Sequence, residues 1–176
     1  MRPSTRPPCR TNERPRPPAA IKTQAIVFRE PVPYAQAVSL QEHLLAARIR
    51  GAVPDIVLLM QHLPVVTLGR RGRDGHLLLS REALRARGIE LAQASRGGDV
   101  TFHGPGQWVL YPILRLGERE ADAHGYLYNL EEVAIRTAAA FGVRAWRREG
   151  KNGAWNGNGK IAAIGFRLKR WVTSHG

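Results

Sequence analysis

Apolar and polar positions along the chain repeat with two periods. From Pro33 to Gly51, Ala37, Leu40, Leu44 and Ala47 recur at helical spacing, and Val38 and Leu45 widen the stripe. Such a stripe packs against a sheet, with Pro and Gly as start and stop. A second helix is predicted from about Tyr126 to Phe141. There Leu127, Leu130, Ala134, Ala138 and Phe141 step by three, four, four and three, and Gly142 follows. Ser80 can cap a short helix ending at Gly88. The remaining apolar runs are strand-like: 24–28, 89–92, 107–114, 143–146 and a long last strand, 160–169. Residues 55–61 and 65–68, separated by His62-Leu63-Pro64, read as adjacent buried strands. Residues 152–159 read as a turn cluster around Trp155, and 69–75 as a basic loop. The pattern gives an α+β domain in which helices pack on a mixed sheet.

Composition adds bounds. A chain of 176 residues, 43% hydrophobic, is long enough for one domain with a core. Residues 1–20 carry Pro3, Pro7, Pro8, Pro15, Pro17 and Pro18 among arginines, with no aromatic residue. A disordered extension is expected there, and residues 21–176 form the folded domain. No run approaches the ~18 apolar residues of a membrane span, and Arg and Pro interrupt any secretory leader. The single cysteine, Cys9, excludes a disulfide framework and suits a reducing cytoplasm. The six histidines show no zinc-ligand spacing. The net charge of +13 favours acidic partners. Nucleic acid competes on charge alone, but the tail offers no aromatic for base stacking, so none is expected.

The densest chemistry lies between Arg96 and Tyr111. Gly97, Gly98, Gly104 and Gly106 bracket Val100, Thr101 and Phe102, with His103 at the edge. Glycines at that density let main chain approach a ligand without a Cβ in the way. A pocket wall made of backbone is predicted. His103 could donate to a carbonyl oxygen, or it could hold the turn, and the turn is preferred. Asp99 reads as a turn residue. On the predicted last strand Lys160 alternates with Ala162, Ile164, Phe166 and Leu168, at the edge of an apolar face. Taken alone, that lysine could equally snorkel to water.

Five segments together carry a family resemblance. They are the Arg96–Tyr111 stretch, Gln61–Arg70, the helix around Glu131, Asn152–Trp155, and Lys160–Gly165 running into Trp171–Gly176. The chain from about residue 24 onward resembles the octanoyltransferases of lipoate synthesis, the lipoyl(octanoyl) transferases. The resemblance implies a biotin/lipoate ligase-like fold. It implies transfer of an octanoyl group from octanoyl-acyl carrier protein to a lysine of a lipoyl domain, through a cysteine acyl-enzyme. The acceptors would be the acyltransferase subunits of 2-oxoacid dehydrogenases and the glycine cleavage H protein. Lys160 would partner the cysteine. Arg96, Gly97, Gly98, Asp99, Val100, Thr101, Phe102 and His103 would form one substrate wall, with Ala163, Ile164 and Gly165 opposite and Gly176 next to them. No cofactor or metal is implied, and a cytoplasmic monomer is expected.

The chain departs from the family pattern at one point. The nucleophile of the family lies in a Pro-Cys-Gly context beyond the His-Gly that stands here at His175-Gly176. The expectation is therefore a chain cut before its thiol, inactive as supplied and poorly soluble or partly open. The alternatives are an ATP-dependent biotin or lipoate ligase, whose Gly/Arg loop Gly69–Arg73 resembles, and a non-catalytic remnant that binds acyl groups or lipoyl domains.

Overall fold

The computed structural model describes residues 23–117, 122–157 and 159–176. The proposed extension 1–20 and Cys9 lie outside them.

The core forms around one helix and one small sheet. Helix α1 (Tyr34–Ile49) follows Pro33, as its punctuation predicted. Strands β1 (Gln24–Val27), β2 (Ile56–Met60) and β6 (Val109–Ile113) make a sheet in the order β1-β2-β6. β1 runs parallel to β2, and β6 antiparallel to it. Alternation along β2 turns Ile56, Leu58 and Met60 inward. They meet Val109, Tyr111 and Ile113 of β6, Ala37 and Leu45 of α1, and Val172. Each such burial contributes roughly 1.5–3 kcal/mol. The face that α1 buries is Tyr34, Ala37, Gln41, Leu45 and Arg48, offset from the predicted apolar stripe. The two polar members are bonded. Gln41 Oε1 accepts from the His175 amide at 2.9 Å, and Arg48 Nε donates to Asp55 Oδ1 at 2.6 Å.

Strands β3 (Val65–Leu68), β4 (Glu90–Gln93) and β5 (Val100–His103) form a second sheet in the order β4-β3-β5. Thus β2 and β3 do not pair, contrary to the sequence expectation, because the His62-Leu63-Pro64 link carries the chain from one sheet to the next. The basic loop contains a 3₁₀ turn (Asp74–His76), and α2 (Arg81–Ala86) starts where Ser80 Oγ accepts from the Ala83 amide. Helix α3 (Ala123–Ala140) starts before the predicted Tyr126, because the Asp122 carboxylate accepts from the His124 amide.

The C-terminal region corrects the sequence reading most. The expected turn cluster is a strand, β8 (Lys151–Asn156), between β7 (Trp146–Arg148) and β9 (Gly159–Ala162). The expected long strand 160–169 is two strands. β9 pairs with β8, whereas β10 (Phe166–Lys169) pairs with β11 (Val172–His175). Residues 163–165 are the break, so the predicted alternation through Phe166 does not hold. No helix among the described residues is long and apolar enough to cross a membrane.

Candidate functional site

A cavity of about 840 Å³ lies where these sheets meet. Arg96, Gly97, Gly98, Asp99, Val100, Thr101 and His103 line it from one side, and Lys160, Ala163, Ile164, Gly165 and Gly176 from the other. Phe102 is the exception. It points to the opposite face of β5, is 49% exposed, and its ring lies over Gly104. Strand alternation forces this, because neighbours of Phe102 occupy the inner face.

The two walls are joined through main chain. The Gly97 amide of one wall donates to Phe166 O, next to the other, at 3.1 Å, and within that second wall the Gly165 amide donates to Gly176 O at 2.7 Å. A Cβ on Gly165 would stand 2.6 Å from Gly97 O, so only glycine lets the walls approach this closely.

The cavity floor is polar and closely bonded. Arg96 is buried, and its Nη2 donates to Thr67 O at 2.9 Å and to Thr67 Oγ1 at 2.6 Å. Its Nη1 donates to Gly97 O at 2.9 Å. These bonds fix the guanidinium against the wall that it begins. His62 is fully buried, with Nδ1 donating to Val32 O at 2.9 Å. That tautomer leaves Nε2 to accept from the Tyr111 hydroxyl at 2.7 Å. Burial lowers the His62 pKa and raises that of Tyr111, so both remain neutral.

His103 stands edge-on to His62 with 5.6 Å between ring centroids. Its Nδ1 donates to Gln107 Oε1 at 2.6 Å across the Gly104-Pro105-Gly106 turn. Burial holds its pKa at about 4. Neutral in this tautomer, its Nε2 carries no proton, so the ring can accept a hydrogen bond but cannot stabilise an oxyanion. His175 is buried too, with Nε2 against Ser95 Oγ at 2.9 Å and a left-handed backbone, φ 56°. Desolvation, then the Arg167 charge, pushes its pKa down to about 4.

Lys160 sits at the rim, on β9 opposite Trp155 of β8. Its Nζ lies 5.0 Å from the centre of the Trp155 ring. Lys151 Nζ, at 5.6 Å, and Arg148 Cζ, at 5.3 Å, approach the same indole. Desolvation lowers the Lys160 pKa, repulsion by Lys151 adds to the fall, and the Glu131 carboxylate opposes it. Glu131 is buried on α3, where it accepts from the Gly153 amide at 2.8 Å and lies 3.3 Å from Arg147 Nε. Gly153 has φ 105°, and a Cβ there would collide with Ala162 O. The register shifts between Ala154 and Trp155, next to this bond. Glu131 therefore holds the irregular piece of β8 from which Lys160 takes its position.

Sequence reasoning missed Tyr34, His62, Thr67, Tyr111 and Trp155 as parts of this site, and gave Glu131 no role. Two of them left a trace. Tyr111 alternates with Val109 and Ile113, which puts a phenol on an apolar face. Glu131 falls four residues after Leu127, on the apolar stripe of α3, and a buried acid needs a partner. Among the described residues no group of His, Cys, Asp and Glu could hold a metal ion.

Residues 33–176 match the family model of the lipoyl protein ligase A/B catalytic domain. An octanoyltransferase from Maridesulfovibrio salexigens is 46% identical over 145 residues, covering 82% of this chain and 68% of the relative. One from Syntrophotalea carbinolica is 49% identical over 145 residues, covering 82% and 65%. The chain spans between 58% and 68% of the length of such curated relatives. Among solved structures, a P. falciparum protein in complex with lipoate superposes with a TM-score of 0.68 at 14% identity, covering 88% of this chain and 46% of that one. At that identity the likeness concerns the fold, which is that of the lipoate ligases. The chain belongs to the lipoyl protein ligase A/B catalytic domain family, in its octanoyltransferase branch.

Proposed function

We propose that the cavity cradles a medium-length acyl chain, and that Lys160 serves the transfer of that acyl group from a carrier thioester to a protein lysine. One observation carries the reading. Two backbone walls more than sixty residues apart in sequence, 96–101 and 163–165, close on one cavity whose lining includes Lys160 and, beside it, Lys151. The resemblance supplies octanoyl-acyl carrier protein as donor, and lipoyl domains of 2-oxoacid dehydrogenases and glycine cleavage H protein as acceptors. The charge of +13 supports acidic partners of this kind.

In this mechanism a cysteine thiolate attacks the thioester carbonyl, and the carrier leaves as its thiol. The acceptor amine then attacks the acyl-enzyme. An amide forms, the enzyme sulfur is released, and neutral Lys160 takes the proton of the amine and passes it to that sulfur. Its lowered pKa supports this role, because more of the amine is free to accept a proton near neutral pH. Among the described residues the lining of the cavity supplies the acyl cradle and, in Lys160, the proton carrier.

The acyl reading is tested by calorimetric titration with S-acyl-pantetheines of increasing chain length. Each buried methylene contributes about 0.8 kcal/mol. S-octanoyl-pantetheine should therefore bind at least about tenfold more tightly than the acetyl form. Equal affinity for the two would end the proposal.

A further inference from the structure

At Asp99 the main cavity adjoins a second one of about 590 Å³, lined by Arg70, Arg71, Gly72, Arg73, His76 and Asp99. Arg70, Arg71 and Asp99 line both. The acyl cavity and this basic recess therefore adjoin, and the lining of the recess holds three arginines and one aspartate. Asp99 is already engaged, 2.8 Å from His76 Nδ1.

The arginines elsewhere make a contrast. Arg48, Arg81, Arg136, Arg147 and Arg167 each hold an Asp or Glu. Among the described residues Arg70, Arg71 and Arg73 have no carboxylate at ion-pair distance. The backbone that presents them is nevertheless fixed. The amides of Gly69, Arg70 and Arg71 donate to Asp99 O at 2.9 Å, Arg96 O at 3.1 Å and Gly98 O at 3.1 Å. The loop is thus a continuation of the acyl wall. Arg70 folds over that wall, its Nη2 3.9 Å from where a Cβ of Gly97 would be. Unpaired positive charge on a preorganised loop, beside a slot whose lining includes Val100, Val109, Leu127, Ile164 and Leu168, suits a ligand with a greasy end and an anionic end.

Resting on the acyl-thioester reading above, we propose that the Gly69–Arg73 loop is a phosphate subsite. It binds the phosphate ester at the far end of the flexible arm that carries the acyl thioester. Such an arm, thirteen bonds from sulfur to phosphorus, extends about 15 Å. The acyl group would lie between the glycine walls, the carbonyl near Lys160, and the phosphate against Arg70 and Arg71.

S-octanoyl-phosphopantetheine and S-octanoyl-pantetheine differ by the phosphate alone, and calorimetric titration compares them. The phosphorylated thioester should bind at least about tenfold more tightly at low salt, the scale of one charge-assisted hydrogen bond. The advantage should shrink as salt rises. It should fall to within about twofold in the Arg70→Gln/Arg71→Gln variant, and partway in Arg71→Gln alone. Arg144→Gln, remote from the recess, should leave it unchanged. Equal affinity of the two thioesters overturns the subsite and leaves the acyl cradle standing. Failure of both to bind overturns both. Octanoate binding strengthened by ATP through the same arginines would give the anion to a nucleotide and overturn the assignment.

Discussion

The cavity has two sides built by different means. Toward β11 the side chains are enclosed: Val172 and Thr173 are fully buried, Ser174 and His175 nearly so, and Arg96, Thr67 and Gln41 are buried as well. Toward β9 the framework is open. Ile161 is 47% exposed, α3 buries only Tyr126 and Glu131, and Phe141 at its end is 82% exposed. The enclosed side holds backbone in place through many bonds. The open side carries the amine, whose charge depends on one carboxylate, one neighbouring lysine and partial desolvation. The wall that shapes a ligand is therefore insulated from the group that would move protons.

Truncation within the enclosed side should have the largest effect. Leu58→Ala removes a side chain with no solvent exposure from between α1 and β6. A loss of about 2–5 kcal/mol is expected in denaturant unfolding. A loss below about 1 kcal/mol would mean that this half is not the packed one.

Acid should act on the same side. The His175 pKa stands at about 4 in the fold and at its ordinary 6.5 when the chain unfolds. Between these values the unfolded chain binds the extra proton, so stability falls as pH drops from 6.5 toward 4. For a group this buried the loss reaches about 3 kcal/mol. His103, with its pKa also at about 4, acts in the same direction and less, being more accessible. Unfolding midpoints across that range check the slope, and His175→Asn, which tolerates the left-handed backbone, should flatten it.

On the open side the comparison turns on Glu131. Glu131→Ala leaves the Gly153 amide without its partner and Arg147 with Glu132 as its remaining carboxylate, at a cost of about 1–3 kcal/mol. Hydrogen exchange should quicken across β7–β9 and stay slow in β2 and β6. The Lys160 pKa should fall further, because the carboxylate that raised it is gone. Equal loss of protection in both halves would show that the two sides are not separable.

What the sequence made legible was local. Ser80 caps α2, Pro33 precedes α1, and of the glycine run at 97–106 Gly97 and Gly98 line the cavity, whereas Gly104 and Gly106 do not. What escaped depends on partners distant in sequence. Gln41 and Arg48 displace the apolar stripe of α1 inward because His175 and Asp55 satisfy them. The strand 160–169 breaks at Ala163 because Gly97 and Gly176 bind the backbone of residues 165 and 166. The turn cluster around Trp155 is a strand because Glu131, on another element, stabilises the irregular backbone at Gly153. Lys160 was singled out by its motif and lines the cavity, but the cations and carboxylate around it were not visible until β8 and α3 came together.

Phe141 gives the smallest expected effect and the sharpest contrast. Helical spacing sets it on the stripe with Leu127, Leu130, Ala134 and Ala138, as though it were core. Yet α3 stops at Ala140, and Phe141 caps it with its ring in solvent. A buried phenylalanine cut to a small residue loses about 3–5 kcal/mol. Here almost no apolar area leaves or enters water differently on folding, so Phe141→Ser should change stability by less than about 0.5 kcal/mol. Solubility should improve, since one large exposed ring is gone. A cost of several kcal/mol in denaturant unfolding would mean that the ring is covered in solution, and the open side would then be no more open than the other.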